Sequence, residues 1–378
     1  MPSAPTVERV IDHRSWLRGA STLPWRPLLA PLGWLYGAAS AGVRAARTLS
    51  AAPPPEGCTV ISVGNLEVGG SGKTPLAIHL LERAAAAGRR AVYASRAWGG
   101  RAGRYPGVTL VPPAGEPPPT PPGGARVMAR ERADAACELG DEAAVVARRA
   151  PHAGLALGAD KGRAAAMAAA GLGSGVIVLD DAFQSWAVGR HLDVVLLDAA
   201  APLGDGLLLP AGRLREEPEA LARAHAVVFN GVESAAAVAR LAPAVAHLCA
   251  DDVAFGGLER WVTFTDPHTA AGVGIEGRVA CACGIARPES FERAVADAGA
   301  EVALAVRYHD HHRYRPIDLD GLLREADAAG AGHIVTTEKD WVKLEGLGAS
   351  RERFRVARLE VSLVGDAQRV VDERVQRC

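Results

Sequence analysis

A lysine and a threonine at positions 73 and 74 close a glycine-rich turn in the stretch ISVGNLEVGGSGKTPLAIHL, residues 61–80. In such a turn, small residues let successive backbone N–H groups converge on phosphate oxygens, and the N-terminus of the following helix adds positive potential. The Lys73 ammonium would reach the terminal phosphates of a nucleotide, and the Thr74 hydroxyl could bind magnesium. The stretch therefore predicts a nucleoside triphosphate site, with an incidental glycine-rich turn as the alternative.

The turn departs from the regular phosphate-binding pattern G-x-x-x-x-G-K-[ST], because Glu67 stands at the position of the first glycine. Other glycines inside the loop keep the backbone accessible to phosphate. Pro75 falls in the first turn of the helix, where a missing N–H costs little. The residues predicted to surround the phosphates are Glu67, Val68, Gly69, Gly70, Ser71, Gly72, Lys73 and Thr74.

Two adjacent carboxylates follow an apolar run in the stretch VIVLDD, residues 176–181. A strand of this kind delivers Asp180 and Asp181 to its carboxyl end, where open α/β sheets bind their ligands. A phosphate loop needs such an acidic element to hold Mg²⁺, so we predict that these aspartates serve that purpose. Asp198, at the end of the similar run HLDVVLLDA, is a competing candidate with a single carboxylate.

The elements that would position these side chains are continuous apolar strands separated by helical stretches. Besides the two strands already mentioned, RRAVYAS and AHAVVFNG have this character. Strands that are apolar along their whole length indicate a parallel sheet covered on both faces. We predict an α/β fold of the P-loop NTPase type, with a mostly parallel sheet and helices on both faces.

The pattern restarts at about residue 272, which predicts a second, smaller α/β domain. The expected boundaries are an N-terminal helical segment at 1–50, a P-loop core at 51–240, a connection at 241–272 and a C-terminal α/β domain at 273–378. The formal net charge of −1 provides no basic field for nucleic acid. Six scattered cysteines favour reduced thiols and a cytosolic setting.

The N-terminal segment contains an uncharged stretch at residues 28–43 with arginines on both sides. It is shorter than the roughly 20 residues that a membrane-spanning helix needs. Trp25, Trp34 and Tyr36 are residue types that suit a boundary between water and lipid. The segment therefore predicts a helix on a membrane surface, with a helix packed on the protein's own body as the alternative.

Seven motifs in a fixed order give the chain a resemblance to the tetraacyldisaccharide 4′-kinases, which phosphorylate the lipid A precursor. The resemblance extends over roughly residues 28–344. The motifs are SVGNLEVGGSGKTP, SRAWGG, LGDEAAVVARR, LDDAFQSWAVGRHLDVVLLDA, LLPAGRLREE, DHHRY and TTEKDWVKL. It implies a kinase that transfers the γ-phosphate of ATP, with Mg²⁺, to the 4′-hydroxyl of a tetraacyl glucosamine disaccharide 1-phosphate.

The resemblance also assigns roles to individual residues. Asp141, just before a helix, would orient the acceptor hydroxyl and take its proton. His311, from the second domain, would tune or orient that carboxylate, and Lys73 would complete the catalytic set. For Asp141, a helix N-cap is the alternative. For the run from His309 to His312, a metal site and a solvated loop are the alternatives. The predicted Mg²⁺ ligands are Thr74, Asp180, Asp181, Gln184 and Glu216.

Ser95, Arg96 and Glu142 are the residues expected to contact the acceptor. An arginine fork suits a glycolipid that already bears a phosphate, although a structural salt bridge is an equal alternative for Arg96. The lysine of TEKD sits one place too late for the guanine-reading pattern N-K-x-D, so it gives no preference for GTP. Departures from the family pattern affect details of acceptor binding, and they are Ala97, Trp98, Ala143, Ala182, Ser185, Arg213 and Glu217.

The acyl chains of such an acceptor stay in a bilayer, while ATP and Mg²⁺ come from the cytosol. We therefore expect a peripheral or monotopic protein on the cytoplasmic face of the inner membrane, without nucleic acid and without an obligatory protein partner. Two other functions remain open from the sequence. One is a P-loop regulatory ATPase that drives a protein–protein switch, and the other is a divergent, inactive relative that only binds nucleotide.

Overall fold

The computed structural model describes residues 7–10, 26–69, 72–130, 136–186 and 188–376. The strands are β1 (Val7–Val10), β2 (Thr59–Asn65), β3 (Ala91–Ser95), β4 (Val108–Val111), β5 (Ala125–Val127), β6 (Gly154–Leu157), β7 (Val176–Asp180), β8 (Leu192–Asp198), β9 (Ala226–Asn230), β10 (Ala254–Thr265), β11 (Gly277–Cys283), β12 (Ala300–Arg307), β13 (His333–Thr337) and β14 (Phe354–Gly365).

Helices alternate with most of these strands, as expected for parallel connections. They are α1 (Arg26–Leu49), α2 (Lys73–Ala86), α3 (Ala136–Leu139), α4 (Asp141–Arg149), α5 (Lys161–Leu172), α6 (Ala235–Leu241), α7 (Pro243–Ala246), α8 (Pro288–Asp297), α9 (Pro316–Ala328), α10 (Glu338–Leu344) and α11 (Asp366–Gln376). The predicted mostly parallel α/β fold is confirmed.

The chain forms two compact units. The larger unit comprises residues 19–134, 138–260 and 361–378, and the smaller unit comprises residues 1–18, 135–137 and 261–360. The stretch 241–272, which the sequence indicates as a connection, contains α7 and β10. The chain passes from one unit to the other within β10 and returns at the junction inside β14.

In the larger unit the strand order is β5-β4-β6-β3-β7-β2-β8-β9-β10. The strands described in this order pair in parallel, except that β4 runs antiparallel to β6. All seven residues of β2 are buried, as expected for a central strand of a parallel sheet covered on both faces. Since β7 and β8 flank β2, their carboxyl ends meet the loop that follows it.

The segment after β7 approaches β2 so closely at Gly64 that only glycine fits there. A Cβ at this position would lie 2.5 Å from the Cβ of Phe183, a side chain that is fully buried just after β7. Because any larger residue would push these two segments apart, this glycine fixes the spacing at the carboxyl end of the sheet.

In the smaller unit the strand order is β1-β12-β11-β13-β14, again with parallel pairing. Helix α9 and helix α10 cover one apolar cluster, which contains Trp341 and Phe354 at 5.3 Å between ring centroids. Helix α8 packs on β12 on a second cluster that includes Cys281 and Cys283. Burial raises the pKa of the Cys281 thiol to about 12, so this cysteine is an inert core residue.

Helix α1 packs one side against the segment that precedes Glu216. A Cβ on Gly37 would lie 2.8 Å from the Leu208 side chain, and the Tyr36 hydroxyl donates to the Arg215 carbonyl oxygen at 3.2 Å. The other side leaves large apolar residues exposed, with Trp34 at 76% and Leu35 at 66% of their full accessibility. No helix among the described residues has both the length and the hydropathy to cross a membrane. Trp25, the third predicted interfacial aromatic, lies outside the described residues.

Candidate active site

The glycine-rich loop joins β2 to α2 at the carboxyl end of the sheet, as the sequence predicts. Gly72 has a φ of 83° and ends the loop at the first residue before α2. A Cβ here would lie 3.0 Å from the Asn230 side chain at the end of β9, so both the backbone angle and the space favour glycine. Gly70 and Ser71 lie outside the described residues.

The start of the loop is attached to a later segment of the chain. The backbone N–H of Val68 donates to the Arg213 carbonyl oxygen at 2.9 Å, and the Arg213 guanidinium donates to the Val68 carbonyl oxygen at 2.9 Å. The Arg213 side chain also lies 3.6 Å from the Glu67 carboxylate. Glu67, at the position of the missing first glycine, thus anchors the loop, and the Arg213 departure from the family pattern supplies its partner.

Lys73 is the first residue of α2 and points back along the loop. Its Nζ lies 3.1 Å from Asn65 Oδ1 and 3.5 Å from Asp181 Oδ1. Burial lowers the pKa of this lysine, against the opposing effect of the Asp181 charge. Thr74 follows in the first turn of α2. The ammonium is held at the mouth of the loop, where the terminal phosphates of a nucleotide would lie.

Asp180 ends β7 with its carboxyl group buried. The Tyr93 hydroxyl donates to Oδ2 at 2.6 Å, whereas Oδ1 is buried without a hydrogen-bond partner in the described part of the chain. Burial raises the pKa of Asp180, although the Tyr93 hydrogen bond and the Lys73 charge oppose this effect. A buried carboxylate oxygen that lacks a partner is what a bound cation would satisfy, so this residue fits Mg²⁺.

Asp181, the next residue, is held by arginine. Arg215 donates from Nη1 to Oδ2 at 3.0 Å and from Nη2 to Oδ1 at 2.8 Å, a bidentate pair. Burial alone would raise the pKa of Asp181, but the Arg215 hydrogen bonds and the charges of Lys73 and Lys161 hold it well below the usual range. The backbone φ of 48° is in the left-handed region, which few non-glycine residues adopt.

Lys161 joins the same group from the start of α5, after β6. Its Nζ donates to the Asp181 carbonyl oxygen. Burial lowers the pKa of this lysine to about 8, although the charges of Asp181 and Asp180 oppose the effect. Together with Lys73 and Arg215, it gives the carboxyl edge of β2 and β7 a positive lining suited to phosphate oxygens.

Gln184 and Glu216 form a second layer behind this group. Gln184 Nε2 donates to the Asn65 carbonyl oxygen at 3.0 Å and to Glu216 Oε1 at 2.9 Å. Glu216 also pairs with Arg223 at 3.1 Å and with Arg44 of α1 at 3.8 Å. Burial raises the pKa of Glu216, against the Arg223 charge. Both side chains are thus engaged by protein groups rather than directed only at a ligand.

Asp141 is the first residue of α4, and Gly140 is the residue before the helix. The N-cap position therefore belongs to Gly140, which has a φ of 84°, and the alternative of an Asp141 N-cap is not what the helix shows. A Cβ on Gly140 would lie 2.3 Å from the Trp98 carbonyl oxygen. The loop after β3 is consequently pressed against the start of α4, beside Asp141 and Glu142.

That loop contains the residues expected to contact the acceptor. The Ser95 hydroxyl is buried and accepts a hydrogen bond from the Ala97 backbone N–H at 3.2 Å, so it shapes the turn. Arg96 is exposed. Burial is the main cause of the lowered pKa of Lys161, and the Arg96 charge adds to it, whereas the Asp181 and Asp180 charges oppose it. Trp98 projects from the loop with 67% of its side chain accessible.

His311 lies in the smaller unit, in the turn after β12. Its φ is 59°, and its Nε2 lies 3.1 Å from Lys339 Nζ and 3.9 Å from Asp310 Oδ2. His309 and His312 contact each other instead, at 3.0 Å between ring nitrogens, and His312 stacks on Tyr308. The described residues contain no group of three or more histidine, cysteine or acidic side chains arranged to hold a metal ion.

The structure brings Lys73, Asp180, Asp181, Gln184 and Glu216 together within the larger unit. Sequence reasoning missed the residues that link them, which are Asn65, Tyr93, Lys161 and Arg215. Arg215 stands inside the quoted motif LLPAGRLREE, directly before Glu216, and this place in the motif was the one sequence signal for it. Asp198, the competing candidate, ends β8 and accepts a hydrogen bond from the Ala200 backbone N–H at 3.1 Å.

A glycine-rich loop between a buried strand and a helix, a lysine at the helix start and an aspartate on the neighbouring strand define a P-loop nucleotide-binding protein. The sequence model of the family described as tetraacyldisaccharide-1-P 4′-kinase (LpxK) matches residues 25–377. The chain belongs to this family. The predicted family and enzyme class, an ATP-dependent kinase, are thereby confirmed.

Individual relatives agree with this assignment. The tetraacyldisaccharide 4′-kinase of Anaeromyxobacter dehalogenans (strain 2CP-C) is 37% identical over 384 residues, which cover 93% of both chains. That of Parvibaculum lavamentivorans is 34% identical over 360 residues, with the same coverage. The crystal structure of "apo" form LpxK from Aquifex aeolicus in complex with ATP has a TM-score of 0.67 and 22% identity, covering 93% of this chain and 99% of that chain. This last likeness concerns the fold.

Proposed function

We propose that this chain transfers the γ-phosphoryl group of ATP to the 4′-hydroxyl of a tetraacyl glucosamine disaccharide 1-phosphate, a step of lipid A biosynthesis. The observation that carries the proposal is the convergence of Lys73, Asp180 and the Asp181–Arg215 pair at the mouth of the phosphate loop. Phosphoryl transfer depends mostly on positioning and charge neutralisation, and this group of side chains supplies both.

The phosphates of ATP would lie on the loop, between the backbone N–H groups at the N-terminus of α2 and the ammonium group of the Lys73 side chain. Thr74 and Asp180 are the proposed direct ligands of Mg²⁺, supported by the buried Asp180 oxygen that lacks a protein partner. When bound, Mg²⁺ neutralises the charge of the phosphate oxygens. For Asp181, Gln184 and Glu216 the existing contacts with arginine and amide groups support a positioning role beside the metal rather than direct ligation.

Asp141 is the proposed general base. It lies in the first turn of α4, at the positive end of the helix, and the loop of Arg96 and Trp98 lies against the same turn. Arg96, Ser95 and Glu142 are proposed to contact the sugar phosphate, and the exposed Trp98 face suits stacking on a sugar ring. His311 is proposed to orient the Asp141 carboxylate, on the strength of the family resemblance.

The nucleoside base is proposed to occupy a cavity of about 390 Å³ in the larger unit. The cavity is lined by Ala199, by Ala237 and Leu241 of α6 and by Gly231, Val232, Glu233, Ser234 and Arg240. Gly231 follows Asn230, whose side chain would lie 3.0 Å from a Cβ on Gly72 of the phosphate loop. Its size is within the range of small-molecule sites, about 300–1,000 Å³.

Filling this cavity should weaken the binding of ATP without affecting the binding of the lipid acceptor. The variant Ala237→Leu is expected to raise the KM for ATP roughly tenfold, because added methylenes in a filled site cost about 1–3 kcal/mol. The KM for the lipid acceptor should stay unchanged in the same steady-state assay. Ala236→Leu, on the exposed side of α6, is the matched control and should leave both constants unchanged. An equal effect of the two variants, or none, would rule out this position for the base.

Helix α1 is proposed to lie on the cytoplasmic surface of the inner membrane, where the acyl chains of the acceptor are held. The exposed side chains of Leu32, Trp34, Leu35 and Val43 support this placement, because an apolar face beside arginines binds an anionic lipid interface. The opposite side of α1 contacts Arg215 and Glu216, so the helix would connect the membrane surface with the phosphate site.

Negative charges introduced on the exposed face of α1 should weaken the binding of the protein to lipid vesicles. The double variant Trp34→Glu/Leu35→Glu is expected to reduce flotation with vesicles of phosphatidylethanolamine and phosphatidylglycerol by roughly tenfold or more. Ile317→Glu is the control, because Ile317 of α9 is also apolar and 64% exposed but lies in the smaller unit. If the wild-type protein stays in the unbound fraction, the membrane placement is wrong.

The proposed reaction itself is tested by its product. Purified protein, ATP, Mg²⁺ and the tetraacyl disaccharide 1-phosphate in detergent should yield a bisphosphorylated lipid, identified by mass spectrometry and by a new phosphomonoester signal in the ³¹P NMR spectrum. Phosphorylation at any other hydroxyl, or an unchanged lipid, would refute the proposal.

A further inference from the structure

The motifs DHHRY and TTEKDWVKL meet in the smaller unit. The first forms the turn after β12, and the second forms the end of β13 and the start of α10. Lys339 of α10 reaches the turn, with Nζ at 3.1 Å from His311 Nε2 and at 3.2 Å from Asp310 Oδ1. The function proposed above uses His311 but assigns no role to the lysine of the second motif.

The contact between Lys339 and His311 determines which imidazole nitrogen carries the proton. An ammonium group has three donors and no acceptor, so Nε2 of His311 must accept. The imidazole is then neutral, with its proton on Nδ1. A neutral ring in this tautomer has one N–H to give, and a carboxylate is the acceptor that the proposed role of His311 calls for.

Several contacts hold α10 in place against the turn. The Asp340 side chain is fully buried, and it accepts hydrogen bonds from the Gly284 backbone N–H at 2.9 Å and from the Thr337 hydroxyl at 2.7 Å. A Cβ on Gly284 would lie 3.0 Å from the His309 carbonyl oxygen, so the ends of β11 and β13 and the histidine turn are in close contact. The backbone of Lys339 is therefore held in place relative to the histidine turn.

The backbone of the turn is also constrained. His311 has a φ of 59°, in the left-handed region that few non-glycine residues adopt. The Lys339 bonds to both Asp310 and His311 supply such a constraint from outside the turn. The contacts of Lys339 with Asp310 and His311 thus help to fix the direction of the His311 side chain.

We propose that Lys339 is a positioning residue, which holds the His311 imidazole neutral and in the tautomer with its proton on Nδ1. The inference rests on the proposed function, in which His311 assists Asp141. The other charged or titratable groups around the turn include Asp310 and Arg313 on the turn itself, His309 and His312 with Asp318 of α9 and its partner Arg315, and Asp340 with Lys343 of α10.

Removing the lysine should change the protonation of His311. In Lys339→Met the ammonium beside the ring is lost while the Asp310 carboxylate remains, and this change favours the imidazolium. We expect the acidic limb of the kcat/KM profile to move to higher pH by about one unit, an effect of one nearby charge. Lys339→Arg keeps a cation that can only donate, and it should restore the wild-type limb.

Two controls separate this effect from a loss of stability. Lys343→Met removes another ammonium of α10, one that pairs with Asp340 at 3.2 Å. It should lower the melting temperature and leave the pH profile in place. The ¹⁵N chemical shifts of the His311 ring, assigned by comparison with His311→Gln, should report a protonated Nδ1 and a bare Nε2 in the wild-type protein.

The proposal is overturned if the wild-type ring carries its proton on Nε2, or if Lys339→Met leaves both the ring shifts and the acidic limb unchanged. The NMR result does not depend on turnover. A protein with the expected tautomer and no kinase activity would therefore contradict the proposed function, whereas an active kinase with the other tautomer would contradict the role of Lys339.

Discussion

Replacing Asp141 by asparagine is expected to lower kcat for lipid phosphorylation roughly 100- to 10,000-fold, the range for loss of a general base. The amide keeps the size of the side chain at the start of α4 but cannot take the proton of the acceptor hydroxyl. The KM for ATP should stay close to that of the wild-type enzyme, because the phosphate loop is unaltered. Initial rates at varied ATP concentrations with a saturating, detergent-dispersed acceptor measure both constants.

A second aspartate at the start of a helix serves as the control for a purely structural role of Asp141. Asp160 precedes α5 and caps it, because its carboxylate accepts a hydrogen bond from the Arg163 backbone N–H at 3.0 Å. Asp160→Asn should lower the melting temperature slightly and leave kcat unchanged. If Asp141→Asn behaves in the same way, Asp141 is structural and the proposed chemistry is wrong.

Replacing Lys73 by methionine is expected to lower kcat/KM for ATP on the order of 1,000-fold, a typical loss for one preorganised charge on the transferring group. Methionine preserves the length of the side chain but removes the ammonium at the mouth of the phosphate loop. The Asp181 carboxylate keeps its two bonds from Arg215, so the surrounding group should remain assembled. Steady-state kinetics and calorimetric titration with ATP measure the loss.

Arg83→Met is the control for this variant. Arg83 lies on the same helix as Lys73 and pairs with Asp372 of α11 at 2.8 Å, far along the helix from the phosphate loop. It should reduce stability without changing the affinity for ATP. Nearly normal turnover by Lys73→Met would contradict the assignment of the loop.

The phosphate loop and the strand-end aspartates were predictable from the sequence because their signals are local. A buried strand, a glycine-rich turn and Lys73 are adjacent in the chain, and Asp180 ends an apolar run. Arg215 was not predictable as a partner of Asp181, because the two residues are 34 positions apart and only tertiary folding brings them together. Lys161, which reaches the Asp181 carbonyl oxygen from α5, escaped notice for the same reason.

The role of the N-terminal segment could not be decided from composition. An uncharged stretch with aromatic residues has the same sequence signature whether it packs on the protein or on lipid. The structure shows that α1 buries the side of Gly33, Tyr36 and Gly37 and exposes the side of Trp34 and Leu35. The stretch 241–272 was hard to interpret for a different reason, since β10 crosses the junction between the two units and contains no turn signal at that point.

The most direct test of the central claim is the stoichiometry between ADP release and lipid phosphorylation. A kinase with the proposed site should release little ADP without acceptor, and one ADP per 4′-phosphorylated disaccharide when the acceptor is present. Asp141→Asn should suppress both products together. ADP release that continues without the lipid, or that survives in Asp141→Asn, would contradict the account and favour a regulatory ATPase.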